Sequence, residues 1–177
     1  MQQISKHVYA GDASHHMVSK AVHIVNNLSM RNATLYVCDM RANPIKYGSA
    51  DIVIAGWSFC YLAVWDKNKW KAGLQKGLKE AERLLAPGGT LIILENFGIG
   101  TTSPYPPPHL NNYFSFLETS GFQSAWIRTD YRFKNLDEAV RLSYFFFGDE
   151  LSNLVKENQW VKLSECTGIF WHVKSAF

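Results

Sequence analysis

Four short apolar runs, each closed by a glycine or an acid, restrict this sequence to few fold classes. The runs occupy residues 7–10, 34–38, 52–55 and 90–94, and they are rich in β-branched and aromatic residues. Such runs bounded by turn residues are typical of strands. The uninterrupted run at 52–55 is apolar on both faces, which predicts a central strand of a parallel sheet.

Two stretches between these runs repeat apolar residues at helical spacing. The first begins at Met17 and ends at Leu28, and the second begins at Trp70 and is closed by Pro87-Gly88-Gly89. Periodicity of this kind predicts amphipathic helices. The order strand, helix, strand, loop, strand, helix, strand therefore predicts an α/β fold, with a doubly wound, mostly parallel sheet and right-handed connections.

The pattern changes in the second half of the chain. Residues 101–108 hold four of the six prolines and predict a surface loop. We expect a helix around 110–119, a strand around 125–129, a single helix over 136–157 and a final antiparallel strand over 166–173. The run of four aromatic residues at 144–147 is predicted as core, with the lining of an apolar acceptor pocket as the alternative.

Length and charge limit the organisation of the protein and its partners. The chain has 177 residues, and 18 basic against 15 acidic residues give a net charge of +3. One domain over residues 1–177 is the expectation. The basic residues are scattered, so we expect no nucleic-acid partner. The apolar stretch 52–65 is too short to span a bilayer, and we interpret it as a strand plus its following loop.

Cysteine and histidine spacing argues against structural metals and disulfides. The three cysteines, Cys38, Cys60 and Cys166, form no C-x-x-C pair, which favours a reducing, cytoplasmic setting. His15 and His16 lack a third ligand at sensible spacing, so no metal site is expected.

Polar residues follow each predicted strand, at the edge where open α/β sheets bind their ligands. Asp12 follows the first strand and Asp39 the second, while Trp57-Ser58 and Glu95 follow the third and fourth. An acid in the first position can accept two hydrogen bonds from a ribose diol. An acid in the second, with the N–H groups after it, can hold an adenine. The simpler alternatives are a helix cap or a turn former for each aspartate and core packing for the tryptophan.

In order and spacing, these motifs resemble class I S-adenosylmethionine-dependent methyltransferases over residues 7 to about 97. The matching segments are Val-Tyr-Ala-Gly-Asp12, Leu-Tyr-Val-Cys-Asp39, Asp51-Ile-Val-Ile-Ala-Gly-Trp57 and Leu85-Ala-Pro-Gly-Gly-Thr-Leu-Ile-Ile-Leu-Glu95. The resemblance implies a Rossmann-like methyltransferase fold, S-adenosylmethionine as cofactor and a small-molecule methyl acceptor.

The resemblance also implies site residues. In the family, the first of the two acids binds the cofactor ribose and the second approaches the adenine. The expected cofactor-binding residues are Asp12, Ala13, Met17, Asp39, Met40, Arg41, Trp57 and Ser58. Tyr61, Glu95 and His109 are candidates for the acceptor pocket, and no catalytic base is assigned.

One large element of the family pattern is missing. The family's first strand and its glycine-rich G-x-G-x-G loop should precede residue 7, and such a unit takes on the order of 25 to 30 residues. That strand is central in the family's sheet. We therefore expect an N-terminally truncated domain, with the flanking strands either separated by a gap or newly paired.

Three explanations of the missing unit stay open. The chain is a fragment, it takes a strand from a homodimer partner or by strand exchange, or it has closed the gap and given up catalysis. Two functions follow from these. The first is a methyltransferase impaired by the missing loop, and the second is a non-catalytic methyltransferase-like module for binding or assembly.

Overall fold

The computed structural model describes residues 5–65 and 68–176. The chain opens with β1 (Val8–Asp12), α1 (His15–Asn27) and β2 (Ala33–Val37). The two strands pair in parallel, with Asp12 opposite Val37. This is the strand, helix, strand order that the apolar pattern predicts.

A second parallel unit follows, and it contains one helix that the sequence pattern missed. Its elements are β3 (Ala50–Gly56), α2 (Phe59–Trp65), α3 (Trp70–Leu84) and β4 (Leu85–Ile99). Strands β3 and β4 pair in parallel. The loop predicted up to residue 65 is wrong, because α2 buries Phe59 and Leu62 against the core. Seven residues are too few for helical periodicity to emerge from so apolar a segment.

The C-terminal part completes the second sheet with antiparallel strands. The order along this sheet is β3-β4-β8-β5, and β8 runs antiparallel to both of its neighbours. A short pair, β6 and β7, lies apart from it. The elements are α4 (Asn111–Thr119), β5 (Gln123–Arg128), β6 (Tyr131–Arg132), α5 (Leu136–Phe147), α6 (Asp149–Glu157), β7 (Lys162–Leu163) and β8 (Glu165–Val173).

The single helix predicted over 136–157 is wrong, because Gly148 divides it into α5 and α6. Gly148 has a φ of 83°, a left-handed conformation that ends a right-handed helix and that glycine adopts without steric cost. The two helices then pack around buried Ala139 and Val155.

The aromatic run at the end of α5 also differs from its prediction as core. Tyr144, Phe145 and Phe146 are all exposed. Phe147, in contrast, packs against the small core that α5 and α6 share. Phe147, the last ring of the run, is therefore the member that contributes to a core.

The main core lies between the second sheet and helices α2, α3 and α4. Phe170 of β8 is fully buried there, with the Phe114 ring stacked on it at 5.5 Å and the Phe97 ring edge-on at 5.7 Å. Leu74 of α3 and Ile93 of β4 are also fully buried. This layer fixes the carboxyl end of β4 relative to the helices beside it.

The two sheets are separate, and the opening lies where the family's first strand belongs. Strand β1 pairs with β2, and β3 pairs with β4, with no ladder between β1 and β3 in the described ranges. Ile52 and Ile54 of β3 are 58% and 63% exposed. The α/β prediction with an antiparallel C-terminal strand is confirmed. The central position predicted for residues 52–55 is wrong, because β3 is an edge strand.

The segment after β2 ties the first sheet to the second. The backbone N–H of Asn43 donates to Oε1 of Glu80 on α3 at 2.7 Å. Arg83, one turn further along α3, pairs with Glu80 and donates to the carbonyls of Asn43 and Ile45 at 2.9 Å each. These contacts hold the carboxyl end of β2 against the helix layer of the main sheet.

Candidate functional site

Asp12 ends β1 and shapes the turn into α1. Its Oδ1 accepts the Ser14 N–H at 2.7 Å, and Ser14 in turn caps α1 by accepting the Met17 N–H at 3.4 Å. The helix-cap alternative is thus partly realised, with Asp12 as the turn former and Ser14 as the cap. Oδ2 of Asp12 has no hydrogen-bond partner within residues 5–65 and 68–176. Ala13 and Met17 lie exposed beside it.

Gly11 keeps the end of β1 close to β2. A Cβ at this position would lie 2.7 Å from Cε2 of Tyr36 and 3.0 Å from Sγ of Cys38. The Tyr36 ring is itself held, since its hydroxyl hydrogen-bonds to Oδ1 of Asn43 at 3.2 Å. A side chain at residue 11 would therefore force β1 and β2 apart just before Asp12.

Gly11→Ala is expected to destabilise the protein by about 1–3 kcal/mol, because it overpacks this contact. Gly56→Ala is the matched control, since a Cβ there meets nothing within 4 Å. Urea unfolding of both variants gives the comparison. Equal stability of the two variants would contradict the proposed tight approach of β1 to Tyr36.

Asp39 follows β2 and binds Arg41. The guanidinium Nη2 lies 2.6 Å from Oδ2 of Asp39, and the Arg41 backbone N–H donates to Oδ1 at 2.8 Å. The Arg41 hydrogen bonds lower the pKa of Asp39 to about 2. Met40 between them packs its side chain against the main core. Asp39 is therefore ionised and exposed, and its carboxylate is already paired with the long side chain of Arg41.

Trp57 stands in a strained conformation at the end of β3. Its φ is 47°, in the left-handed region that bulky residues avoid. Its N–H donates to the Leu94 carbonyl at 2.8 Å, and its side chain is 44% exposed. The next residue, Ser58, accepts the Tyr61 N–H at the start of α2. Strain of this kind persists only where neighbouring contacts enforce it, and it clusters at functional sites.

Glu95 directly follows Leu94, the last residue of β4 that pairs with β3, and lies inside the protein. Only 1% of its surface is exposed. Its Oε1 accepts the Cys60 backbone N–H at 3.0 Å and the Tyr113 hydroxyl at 2.9 Å. Burial raises the pKa of Glu95 above its ordinary value. Its carboxyl therefore joins α2 and α4 to the end of β4.

A cavity of about 250 Å³ opens between α2, α3 and α4. Of the three residues expected at the acceptor pocket, His109 lines this cavity, while Glu95 and Tyr61 are not among its lining residues. The Tyr61 ring stacks on Trp65 at 5.1 Å. The full lining is Ala63, Val64, Trp70, His109, Asn112 and Tyr113.

Sequence reasoning missed three of the polar or aromatic residues in this cavity. Trp70 begins α3, while Asn112 and Tyr113 lie in the first turn of α4. Asn112 and Tyr113 carry a positional signal, since the segment after a strand of the sheet begins at the carboxyl edge. Trp70 carries no such signal, because α3 follows helix α2 and not a strand.

The described part of the chain contains neither a metal-binding cluster nor a membrane-spanning helix. No three His, Cys, Asp or Glu side chains within residues 5–65 and 68–176 come together as a metal would require. Over the same ranges, the helices are all too short or too polar to cross a bilayer.

The sequence matches a known protein family. The family model described as a methyltransferase domain matches residues 1–93, more than half of the chain. The chain belongs to the methyltransferase domain family. This family uses S-adenosylmethionine, and the matched span includes Asp12, Asp39 and Trp57. A search of curated proteins found no match.

Solved structures agree with the family assignment at the level of the fold. The YcgJ protein of Bacillus subtilis has 10% identity and a TM-score of 0.57, over 96% of this chain and 83% of that one. An S-adenosylmethionine-dependent methyltransferase of Aquifex aeolicus has 17% identity and a TM-score of 0.54, over 93% and 68%. A geranyl diphosphate methyltransferase in complex with S-adenosylmethionine has 12% identity and a TM-score of 0.51, over 96% of this chain and 70% of that one. The methyltransferase domain therefore has the class I fold, as predicted.

Proposed function

We propose that this single-domain chain transfers a methyl group from S-adenosylmethionine to a small molecule. The observation that carries the proposal is the pair of carboxylates, Asp12 and Asp39, at the carboxyl ends of two neighbouring parallel strands. Val37 pairs with Asp12, and the Cys38 N–H donates to the Asp12 carbonyl, so Asp39 follows directly on the adjacent strand.

The chain's own groups fit the two polar ends of an adenosine. Asp12 keeps Oδ2 available for a ribose hydroxyl while Oδ1 caps the turn. Asp39 can take the adenine amine once the Arg41 guanidinium swings away, a small cost for an exposed ion pair. The backbone N–H of Met40 follows it, whereas the Arg41 N–H already donates to Oδ1 of Asp39. Trp57, exposed beyond β3, is available to stack on the ligand.

When bound, the cofactor supplies an electrophilic methyl group on a sulfonium. The protein's task in such a transfer is chiefly to align the acceptor and to exclude water. We assign the acceptor to the cavity lined by His109, Trp70, Asn112 and Tyr113, whose size suits a small molecule. The geranyl diphosphate methyltransferase of like fold acts on a small molecule as well.

The second candidate function is a non-catalytic module for binding or assembly, and the opening between β1 and β3 favours it. Neither strand pairs on that side with any other strand of residues 5–65 and 68–176, and Ile52 and Ile54 of β3 are exposed. Free apolar edges invite pairing with another strand. The proposed partner is a second copy of this chain.

Light scattering after size exclusion tests this partner. The native chain is expected to be a dimer, and Ile54→Lys should make it a monomer, because a charge on the edge opposes pairing. Ile127→Lys is the matched control on the opposite edge strand β5, where the side chain is 49% exposed. A monomeric native chain, or equal effects of the two lysines, would contradict pairing at β3.

Equilibrium titration with S-adenosylhomocysteine tests the proposed enzymatic function. We expect saturable binding by the folded chain, with adenosine binding more weakly and guanosine giving no signal. A folded chain that shows no binding of S-adenosylhomocysteine would overturn the proposal and leave the assembly function.

A further inference from the structure

The two carboxyl oxygens of the buried Glu95 differ in their hydrogen-bond partners. Oε1 accepts two hydrogen bonds, from the Cys60 N–H of α2 and the Tyr113 hydroxyl of α4. Oε2 is buried and has no hydrogen-bond partner among the described residues. An ionised carboxylate would leave charge on an oxygen without a donor, which is costly in a dry interior.

No basic group of the described chain lies against this carboxyl to offset that cost. The titratable groups that face it are the Cys60 thiol and the Tyr113 phenol, and the pKa of each is itself raised by burial. Hydrogen bonds from Cys60 and Tyr113 lower the pKa of Glu95, but burial outweighs them. Strand β8 presents Gly168 beside Glu95. Burial therefore raises the pKa of Glu95 and favours its neutral form.

The two contacts from the end of β4 also fasten the strained turn between β3 and α2. Leu94 holds Trp57 through its carbonyl, and Glu95 holds Cys60 through its side chain. Trp57, whose backbone is left-handed, and Ser58 lie in the turn that these two hydrogen bonds hold. A bulky residue keeps such a conformation only if its surroundings over-determine it.

We propose that Glu95 is a positioning residue, whose neutral carboxyl holds Trp57 and Ser58 in the conformation that receives the cofactor. Ionisation leaves a buried carboxylate whose Oε2 has no donor among the described residues, which draws water into the turn and releases α2 from β4. That Trp57 receives the cofactor rests on the proposed function. That Glu95 holds the turn between β3 and α2 does not depend on it.

Because the pKa of Glu95 is raised in the folded protein, the stability of the turn depends on pH. The folded state binds the Glu95 proton more tightly than the unfolded chain does. Its contribution to stability is thus complete below the ordinary glutamate pKa and is lost as the pH rises through the folded pKa. The turn should loosen toward alkaline pH.

Hydrogen exchange of residues 57–62, corrected for intrinsic rates, tests the hold without any ligand. In the native chain, protection of this segment relative to α3 should fall at least about fivefold between about pH 6 and about pH 9. Glu95→Gln should keep high protection at both, because an amide oxygen still accepts the Cys60 N–H. Glu95→Leu should show low protection at both pH values, because leucine offers no acceptor for the Cys60 N–H.

The matched control is Glu165→Gln. Glu165 is a second buried glutamate with a raised pKa, and Thr129 of the β5 end donates to it at 3.2 Å. Its substitution should leave the pH profile of residues 57–62 unchanged. Equal profiles for native and Glu95→Gln protein, or an equal effect of Glu165→Gln, would overturn the proposal.

Titration with S-adenosylhomocysteine over the same pH range tests the link to the cofactor. Native affinity should fall at least about fivefold toward alkaline pH, while Glu95→Gln keeps the low-pH affinity throughout. Parallel affinity profiles would overturn the link. Failure to bind at any pH would overturn the proposed function, and hydrogen exchange would still decide the role of Glu95 in the turn.

Discussion

Asp12→Asn is expected to weaken S-adenosylhomocysteine binding about 100-fold, the largest effect we predict on ligand affinity. The ribose diol should make two hydrogen bonds to this carboxylate, and bonds to charged groups contribute about 1.5–3 kcal/mol each. Asparagine keeps an oxygen for the Ser14 N–H, so the turn into α1 should survive. Calorimetric titration measures the change.

Asp51→Asn is the control for this substitution. Asp51 is an exposed aspartate at the amino end of β3, at the edge of the sheet opposite to the proposed site. Its replacement should leave the affinity within about twofold, since surface changes away from the ligand have small effects. Equal losses from the two substitutions would refute the assignment of the ribose to Asp12.

Phe170→Ala should cause the largest loss of stability, about 3–5 kcal/mol. The ring is fully buried between β4 and α4 and touches Phe97 and Phe114. Its removal leaves a cavity that these rings can fill only in part. Since domains are commonly stable by about 5–15 kcal/mol, the variant should approach marginal stability.

Phe145→Ala is the comparison that separates burial from aromatic character. Phe145 is 75% exposed at the end of α5, so its removal should change the unfolding free energy by no more than about 0.5 kcal/mol. Denaturant unfolding of both variants gives the result. A similar loss in the two variants would show that the 144–147 run is core after all, as the sequence suggested.

Strands and long helices were predictable because burial imposes a period on them. The run at 90–94 falls within β4, the run at 34–38 overlaps β2 except at its last residue, and the stripe from Trp70 coincides with α3 up to Leu84. The errors occur where periodicity carries no information. Helix α2 is short and apolar throughout, and the break at Gly148 depends on one left-handed glycine inside an otherwise helical pattern.

The candidate site was predictable at strand ends and less so elsewhere. Topology alone brings Asp12 and Asp39 to neighbouring strand ends, so spacing sufficed for that pair. The depth of Glu95 and the strain of Trp57 depend on tertiary contacts from α4 and β4 that no local pattern encodes. The edge position of β3 was equally hidden, because an apolar run is compatible with both central and edge strands.

A crystal structure of the chain with S-adenosylhomocysteine tests the central claim most directly. We predict that the ribose hydroxyls contact Oδ2 of Asp12, and that the adenine lies at Asp39 beside the N–H of Met40. Trp57 should keep its left-handed conformation in that complex. A ligand bound away from both carboxylates, for instance in the cavity lined by His109, would contradict the account.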